Sequence, residues 1–303
     1  MDRVYHIPVL LEACMDGLDI KSNGVYVDVT FGGGGHSREI LKRLGEDGRL
    51  IAFDQDPDAL KNALVDKRFA LIHQNFRFLK NNLRLEGIKL VDGILADLGV
   101  SSHQFDEANR GFSTRFDADL DMRMDQIGDL DAKGVLNRYA EDRLQEVFGR
   151  YGEIKNAKTL ARTIVSARLI KPIVTVGDLK TVATGLAPRG KENKYFAQLF
   201  QALRIEVNKE LEVLEEFLRQ AETVLKPGGR LVVMSYHSLE DRLVKNFMAK
   251  GKFSGTVEKD FYGNEIKPFK LVTRKAIVAS DEEISMNNRA RSAKLRIAEK
   301  LVN

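Results

Sequence analysis

Three aspartates and a run of four glycines are the residues of this 303-residue sequence that are best placed to do chemistry. Asp28 comes four positions ahead of the run Gly32–Gly35, and Asp54 and Asp97 follow two later apolar segments. The carboxyl ends of parallel strands meet at one edge of a sheet, so the three carboxylates would form an anionic rim there. Such a rim attracts a cationic ligand and repels an anionic one. A plainer alternative is that acidic residues end the strands only to keep the protein soluble.

The glycine run predicts a close approach of the backbone to a ligand, because residues without a Cβ leave room there. Dinucleotides bind at such turns but normally require the spacing Gly-x-Gly-x-x-Gly. Counting from Gly32 or Gly33 puts the third glycine at Ser37 or Arg38, so neither register fits. S-adenosyl-L-methionine carries a sulfonium and an ammonium, which carboxylates attract. The residues therefore favour S-adenosyl-L-methionine over a dinucleotide.

Three side chains have more specific predicted roles at this cofactor site. Asp54 can accept hydrogen bonds from both ribose hydroxyls, a role that dinucleotide sites share. Phe76 follows the third predicted strand and could stack on adenine, although a phenylalanine of the core fits the pattern nearly as well. His36, directly after the glycines, is expected to orient the turn rather than to do chemistry.

The N-terminal third alternates strand and helix patterns, which is typical of an α/β fold with a mostly parallel sheet. Strands are predicted at 25–29, 50–53, 70–73, 93–96 and 230–234, and helices at 37–44, 58–65, 78–85, 196–225 and 239–248. Residues 269–272 and 276–278 could pair as a closing antiparallel hairpin. The predicted organisation is an α/β domain of residues 1–105 and 198–303, split by a helical insertion of residues 106–197.

Composition limits the class of protein. The 48 basic and 44 acidic residues give a net charge of +4, which permits an anionic partner without requiring one. The single cysteine, Cys14, excludes an internal disulfide, and the scattered histidines lack ligand spacing, so we expect no metal. Apolar runs are too short to span a membrane, and no signal-peptide pattern is present. We expect a cytoplasmic protein without a membrane partner, and the composition is compatible with a homodimer.

A series of short motifs runs in order along nearly the whole chain. They are His6–Leu11, Asp28–Ser37, Asp54–Asp56, Asp92–Ser102, Arg110–Phe112, Leu120–Asp125, Tyr151–Glu153, Phe200–Ile205, His237–Arg242 and Arg289–Arg296. Together they closely resemble the bacterial MraW family, the ribosomal RNA small subunit methyltransferases H. The chain departs from the family pattern at Gln198, which stands where the family usually has an arginine. Milder departures are Tyr236 for a phenylalanine and Asn288 for a proline.

The resemblance implies a fold, a cofactor and a substrate. The fold would be a Rossmann-like S-adenosylmethionine-dependent methyltransferase domain with a mostly parallel seven-stranded sheet and an inserted helical domain that recognises the substrate. The reaction would be N4-methylation of a cytosine in the decoding centre of 16S rRNA, cytosine 1402, within the small ribosomal subunit. The family's cofactor contacts fall on Gly34, Gly35, His36, Asp54, Phe76, Asp97 and Gln104.

N4 of cytosine is a poor nucleophile, because its lone pair is delocalised into the ring. Many amino-methylating enzymes activate such a nitrogen with an Asp/Asn/Ser-Pro-Pro-aromatic motif. At the same place this chain has Asp97-Leu98-Gly99-Val100. We hypothesise that Asp97 or a nearby carbonyl accepts an N4 hydrogen, while Tyr236 and His237 face the base. The alternative for His237 is a capping role at the start of the next helix.

RNA contacts are predicted in two places. Arg289, Arg291, Lys294 and Arg296 form a basic tract that could bind phosphates, although such a run also suits an exposed helix face. Leu120–Asp125 is expected to order part of the active-site wall. The target base would be turned out into the pocket.

Other classes stay open at this stage. A nicotinamide-dependent oxidoreductase is disfavoured by the missing third glycine and by Asp28. A non-catalytic RNA-binding protein could retain the same fold. A methyltransferase of DNA or protein is disfavoured by the resemblance along the whole chain.

Overall fold

A computed structural model describes residues 8–99, 107, 110–125 and 128–302. The chain divides into two compact units, residues 1–99 with 212–303 and residues 100–211. The second unit therefore extends past position 198, where the sequence predicts the return to the first domain. The physical reason is that the helix Glu192–Asn208 packs on helices of the second unit.

The first unit is built on a seven-stranded sheet. In chain order the strands are β1 Val25–Asp28, β2 Arg49–Asp54, β3 Phe69–His73, β4 Val91–Asp97, β5 Leu225–Ser235, β6 Glu258–Lys259, β7 Glu265–Ile266, β8 Phe269–Leu271 and β9 Lys294–Lys300. The sheet order is β3-β2-β1-β4-β5-β9-β8, and β6 and β7 form a separate pair. The strands from β1 to β5 run parallel, and β9 is antiparallel to both of its neighbours. The predicted α/β class with a mostly parallel seven-stranded sheet is confirmed.

One predicted pairing is wrong. β8 pairs with β9 rather than with residues 276–278, from which Ile277 makes only a single bridge to Leu295. β9 fits between β5 and β8 because Leu295, Ile297 and Ala298 are buried there.

Helices cover both faces of the sheet in the first unit and make up most of the regular structure described in the second. In the first unit they are α1 Leu11–Leu18, α2 Gly35–Arg43, α3 Leu79–Leu85, α10 Ser238–Lys250 and α11 Asp281–Met286. In the second they are α4 Ala132–Arg138, α5 Glu141–Arg150, α6 Ala157–Arg168, α7 Val176–Ala183 and α8 Glu192–Asn208, and α9 Glu210–Val224 begins there and continues into the first unit. None of the described helices combines the length and the apolar composition that a membrane crossing requires.

Two boundaries within the helices differ from the predictions. The single helix expected at 196–225 is interrupted at Lys209, whose φ of 51° is left-handed and ends α8. The helix expected at 58–65 is a short 3-10 helix, Pro57–Asn62, capped by the Asp56 side chain.

The two faces of the sheet bury separate cores. Val27 and Ile51 pack on one side with Phe217 of α9, whereas Leu50 packs on the other side with Ile40 of α2. Side chains alternate between faces along a strand, so burial of both sets explains the nearly continuous apolar runs of the strands. The covered sheet leaves its carboxyl edge as the place where polar side chains meet.

Candidate active site

Asp28 ends β1 and is 1% exposed. Its Oδ2 accepts a hydrogen bond from Ser37 Oγ at 2.7 Å, and its Oδ1 accepts one from the Thr30 N–H at 3.1 Å. Burial raises the pKa of Asp28, against the lowering effect of His36 and these hydrogen bonds. The carboxyl thus ties β1 to the first turn of α2, and its contact with a cofactor stays a prediction.

Three of the four glycines, Gly33, Gly34 and Gly35, differ in what a side chain at their positions would contact. Gly34 has a φ of 74°, and a Cβ there would lie 2.8 Å from the Phe31 ring. A Cβ on Gly35 would lie 2.3 Å from Pro8 Cγ. A Cβ on Gly33 would meet no atom within 4 Å among the described residues. Gly34 and Gly35 are therefore required by the protein's own packing, whereas Gly33 is exposed with open space beside it, and cofactor contact with Gly34 and Gly35 stays a prediction.

Gly33→Ala is expected to weaken S-adenosyl-L-methionine binding by about tenfold, because a methyl group would occupy the space where backbone and ligand approach. Its free energy of unfolding should stay near the wild-type value. Gly34→Ala is the matched control, expected to lower the free energy of unfolding by about 1–2 kcal/mol through its left-handed φ. Calorimetric titration and denaturant unfolding measure the two effects. Wild-type affinity in Gly33→Ala would place the ligand elsewhere.

Asp54 ends β2 and ties the glycine turn to that strand. Its Oδ2 accepts from the Gly32 N–H and its Oδ1 from the Asp56 N–H, both at 2.8 Å. Burial raises the pKa of Asp54 to about 6. A carboxylate has about four acceptor positions, so both oxygens can still accept hydroxyl hydrogens.

Phe76 begins a short 3-10 helix after β3 and is half-buried. Its ring meets that of Phe217 with centroids 5.4 Å apart and planes at 73°. The ring therefore belongs in part to the core, the alternative that the sequence left open, and stacking on adenine stays a prediction.

Asp97, Tyr236 and His36 come together at the end of β4. The Tyr236 hydroxyl donates to Asp97 Oδ1 at 2.7 Å, and His36 Nδ1 lies 3.9 Å from Asp97 Oδ2. The Asp97 N–H donates to Thr30 Oγ1 at 2.7 Å, which fixes the strand end against β1. The Asp97 side chain keeps 25% of its surface exposed, so it can still meet a substrate.

The electrostatics of this group raise the pKa of Asp97 but leave its carboxyl mostly ionised at pH 7. Burial raises the pKa of Asp97 to about 6, partly opposed by His36 and by the hydrogen bond from Tyr236. Burial and the Asp97 charge raise the pKa of Tyr236, which therefore stays protonated as a donor. His36 Nε2 lies 3.2 Å from the Val9 carbonyl, so Nδ1 is the ring nitrogen that faces Asp97.

His237 is the N-cap of α10, as its alternative role predicted. Its Nδ1 accepts from the Glu240 N–H at 3.5 Å, and its Nε2 lies 3.1 Å from Glu240 Oε1. Glu240 Oε2 accepts from the Tyr236 N–H at 3.0 Å. Both ring nitrogens of His237 thus lie against Glu240, whereas the neighbouring Tyr236 reaches Asp97.

His237→Asn is expected to keep methyl transfer within about twofold of wild type, because asparagine is also a good N-cap. His237→Ala should lower the free energy of unfolding by about 1 kcal/mol through loss of the cap. Thermal unfolding and single-turnover rates of both variants measure this. A stable His237→Asn variant that loses more than tenfold in rate would instead assign His237 to the base.

The basic tract near the C-terminus does not form one helix face. Arg289 and Arg291 lie on a 3-10 helix, and Lys294 and Arg296 begin β9. Arg296 Nε donates to Asp241 at 2.7 Å, and Lys294 Nζ lies 3.5 Å from the same carboxylate. RNA binding by this tract stays a prediction, with part of its charge already balanced.

Two other predicted contacts have different outcomes. Gln104 lies outside the described residues. The segment 120–125 is ordered within the second unit, where the Met124 N–H donates to Asn208 Oδ1 at 2.7 Å and Asn208 Nδ2 donates to the Met122 carbonyl at 2.8 Å. Its place in an active-site wall stays a prediction.

Comparisons with known proteins agree on one family. The model of the MraW methylase family matches residues 3–301. The ribosomal RNA small subunit methyltransferase H of Flavobacterium johnsoniae is 64% identical over 297 residues, covering 98% of both chains. The proteins of the same name from Christiangramia forsetii and Cytophaga hutchinsonii are 62% and 59% identical, each over 98% of this chain and 98% and 100% of their own lengths.

Proposed function

Because this chain belongs to the MraW methylase family, we propose that it methylates N4 of cytosine 1402 in the decoding centre of 16S rRNA. It is an S-adenosyl-L-methionine-dependent methyltransferase of small-subunit ribosomal RNA, and the proposal adds the base and the atom. The observation that carries the proposal is the Asp97 carboxyl, which stays partly exposed at the end of β4 beside the glycine turn.

The residues at the strand ends fit a cationic methyl donor. S-adenosyl-L-methionine, when bound, supplies a methyl group on a positively charged sulfur. Asp54 would hold the ribose through its remaining acceptor positions, and Gly33 would leave room for the ligand against the turn. Ionised Asp54 and Asp97 would balance the positive charge. A nicotinamide dinucleotide, with its pyrophosphate, would be repelled by the same carboxylates.

Asp97 is the group that orients the attacking amine. Its Oδ1 is held by Tyr236, so Oδ2 is the oxygen that accepts an N4 hydrogen and turns the nitrogen lone pair toward the methyl group. The N–C bond forms as the S–C bond breaks, and N4 becomes cationic. It then loses a proton, which Asp97 can accept because its pKa of about 6 lies well above that of the cationic amine.

Tyr236 and His36 act on Asp97 rather than on the methyl group. Tyr236 fixes the carboxyl rotamer through its hydroxyl. The 3.9 Å between His36 Nδ1 and Asp97 Oδ2 is too long for a hydrogen bond, so the influence of His36 on Asp97 is electrostatic. His36 also anchors α2 to the Val9 carbonyl, which is the orienting role expected for it.

The second unit has eighteen basic and sixteen acidic side chains over residues 100–211, and its positive excess lies in the part after residue 131. Between residues 132 and 211 the sequence has fifteen basic and eight acidic side chains. A polyanion gains affinity from such an excess through counterion release. We propose that this helical unit recognises the rRNA around the target base.

Mass mapping of 16S rRNA from cells that lack this protein tests the function. The N4-methyl group of cytosine 1402 should be missing and should return with the wild-type gene but not with Asp97→Asn. An unchanged modification profile contradicts the proposal. Loss of a methyl group from another nucleotide would keep the methyltransferase and reject the target base.

A further inference from the structure

The β6–β7 hairpin exposes two adjacent aromatic rings that the fold does not use. Phe261 and Tyr262, in its turn, are 98% and 86% exposed. Their rings lie edge to face, with centroids 5.7 Å apart and planes at 87°. Aromatic side chains exposed to this degree contribute little to the core, which leaves both rings accessible to another molecule.

Polar contacts hold the turn that carries these rings. Asp260 Oδ1 accepts from the N–H groups of Tyr262 and Asn264 at 2.9 and 2.8 Å, and the Asp260 N–H donates to the Asn264 carbonyl at 2.9 Å. Gly263 has a φ of 86°, which a residue with a side chain rarely adopts. The rings are thus presented on a preorganised turn, which lowers the entropy lost on binding.

Basic residues surround the hairpin in the sequence. Residues 250–275 carry seven basic and three acidic side chains, an excess of four that equals the net charge of the whole chain. Glu258 and Glu265 pair with Lys252 and Lys267. Lys259 and Lys270 are exposed, and the described part of the chain places no carboxylate within ion-pair distance of either. The net charge of residues 250–275 is therefore positive, even with the Asp260 carboxylate in the turn and Glu265 opposite Lys259 in the strand pair.

The candidate active site lies at the carboxyl ends of the strands, and the hairpin lies away from it. α10 starts beyond the carboxyl end of β5 and runs back along the sheet for 13 residues, about 20 Å. The hairpin follows α10 and precedes β8, which runs in the same direction as β5 because each is antiparallel to β9. It therefore lies at the amino edge of the sheet, where substitutions leave Asp54 and Asp97 untouched.

We propose that the hairpin is a separate RNA contact, in which Phe261 and Tyr262 stack on unpaired bases of 16S rRNA and Lys259 and Lys270 neutralise neighbouring phosphates. The proposal rests on the proposed function, which supplies the RNA. Exposed aromatic faces interleaved with cations are the combination that holds single-stranded nucleic acid. A protein partner would favour a wider apolar patch with fewer charges at its centre.

Affinity for protein-free 16S rRNA, measured by filter binding of the full-length protein, tests the hairpin. Phe261→Ser with Tyr262→Ser is expected to weaken binding by about tenfold or more, because stacking on both rings is lost. Phe261→Leu with Tyr262→Leu should weaken it as much, and the swap Phe261→Tyr with Tyr262→Phe should keep it. The control Val65→Ser with Leu85→Ser changes two other exposed apolar residues and should bind like wild type.

Lys259→Gln with Lys270→Gln should make the slope of log affinity against log salt shallower by about 1.4–1.8. Wild-type RNA affinity in the serine pair overturns the proposal. A leucine pair that binds normally also overturns it, since an apolar protein pocket accepts leucine where base stacking does not. A protein that binds RNA through the hairpin but transfers no methyl group would separate failure of the proposed function from failure of this inference.

Discussion

Asp97→Asn is expected to lower the rate of methyl transfer to rRNA by about 100-fold or more. Asparagine keeps the shape of the side chain, and its carbonyl oxygen can still accept the Tyr236 hydroxyl hydrogen. It loses the negative charge that orients the N4 hydrogen and stabilises the cationic amine. Single-turnover transfer of a radiolabelled methyl group at saturating cofactor measures the chemical step.

The thermal stability of Asp97→Asn shows whether its loss of activity comes from the chemistry or from unfolding. Burial raises the pKa of Asp97 to about 6, so the fold disfavours the charged form above that pH. Removing the charge at pH 8 should therefore leave the melting temperature unchanged or higher. A variant that unfolds easily at pH 8 would contradict this account of the site. Full turnover with unchanged cofactor affinity would remove both roles from Asp97.

Tyr236→Phe is the matched control for Asp97→Asn. It keeps the carboxylate but removes the hydrogen bond that favours its charged form, so the pKa of Asp97 should rise further. Activity should fall less than in Asp97→Asn, and the fall should be greatest near pH 6. A loss that is equal at all pH values would mean that Tyr236 acts by holding the carboxyl rotamer alone.

The sequence predicts the edge of the sheet well because its signals are local. Apolar runs that end in an aspartate place Asp28, Asp54 and Asp97 at the ends of β1, β2 and β4, as the structure has them. The covered parallel sheet follows from the same alternation of strands and helices. The position of β9 depends instead on pairing between distant segments, and apolar runs at 276–278 and 294–300 fit that place about equally well from pattern alone.

The roles of individual side chains depend on neighbours that the sequence does not identify. Asp28 has the same position relative to its strand as Asp54, yet Ser37 and Thr30 enclose it. Tyr236 and His237 are adjacent, but one reaches Asp97 and the other caps α10. Gly33 looks like the other three glycines until the contacts of an added Cβ are known.

The affinity for S-adenosyl-L-methionine is expected to fall by about tenfold to 100-fold between pH 7 and pH 5. Burial raises the pKa of both Asp54 and Asp97 to about 6, so each is mostly ionised at pH 7 and mostly protonated at pH 5. Binding of a cation favours the ionised forms and must release the protons. About tenfold corresponds to one linked carboxyl and about 100-fold to two.

Charged groups near Asp54 and Asp97 also affect how strongly the site attracts a cation. Asp54 faces Asp56 and Asp28, and Asp97 faces His36, Asp28, Glu240 and the Tyr236 hydroxyl. A proton gained by Asp54 or Asp97 makes this site less negative and weakens its attraction for a cation. Titration at pH 5 in two buffers of different ionisation enthalpy measures the protons released, and Asp97→Asn should reduce that number by close to one.

The sign of the stability effect distinguishes this loss of affinity from acid unfolding. Because the folded pKa values lie above the ordinary value near 4, the folded protein binds more protons than the unfolded chain between about pH 4 and 6. These two carboxyls therefore stabilise the fold more at pH 5 than at pH 7, while the affinity for the cofactor changes in the opposite direction. S-adenosylhomocysteine, which has no sulfonium charge, should show the smaller pH dependence. Equal dependence for both ligands would mean that the sulfonium lies far from the carboxylates, and no dependence at all would place the cofactor away from Asp54 and Asp97.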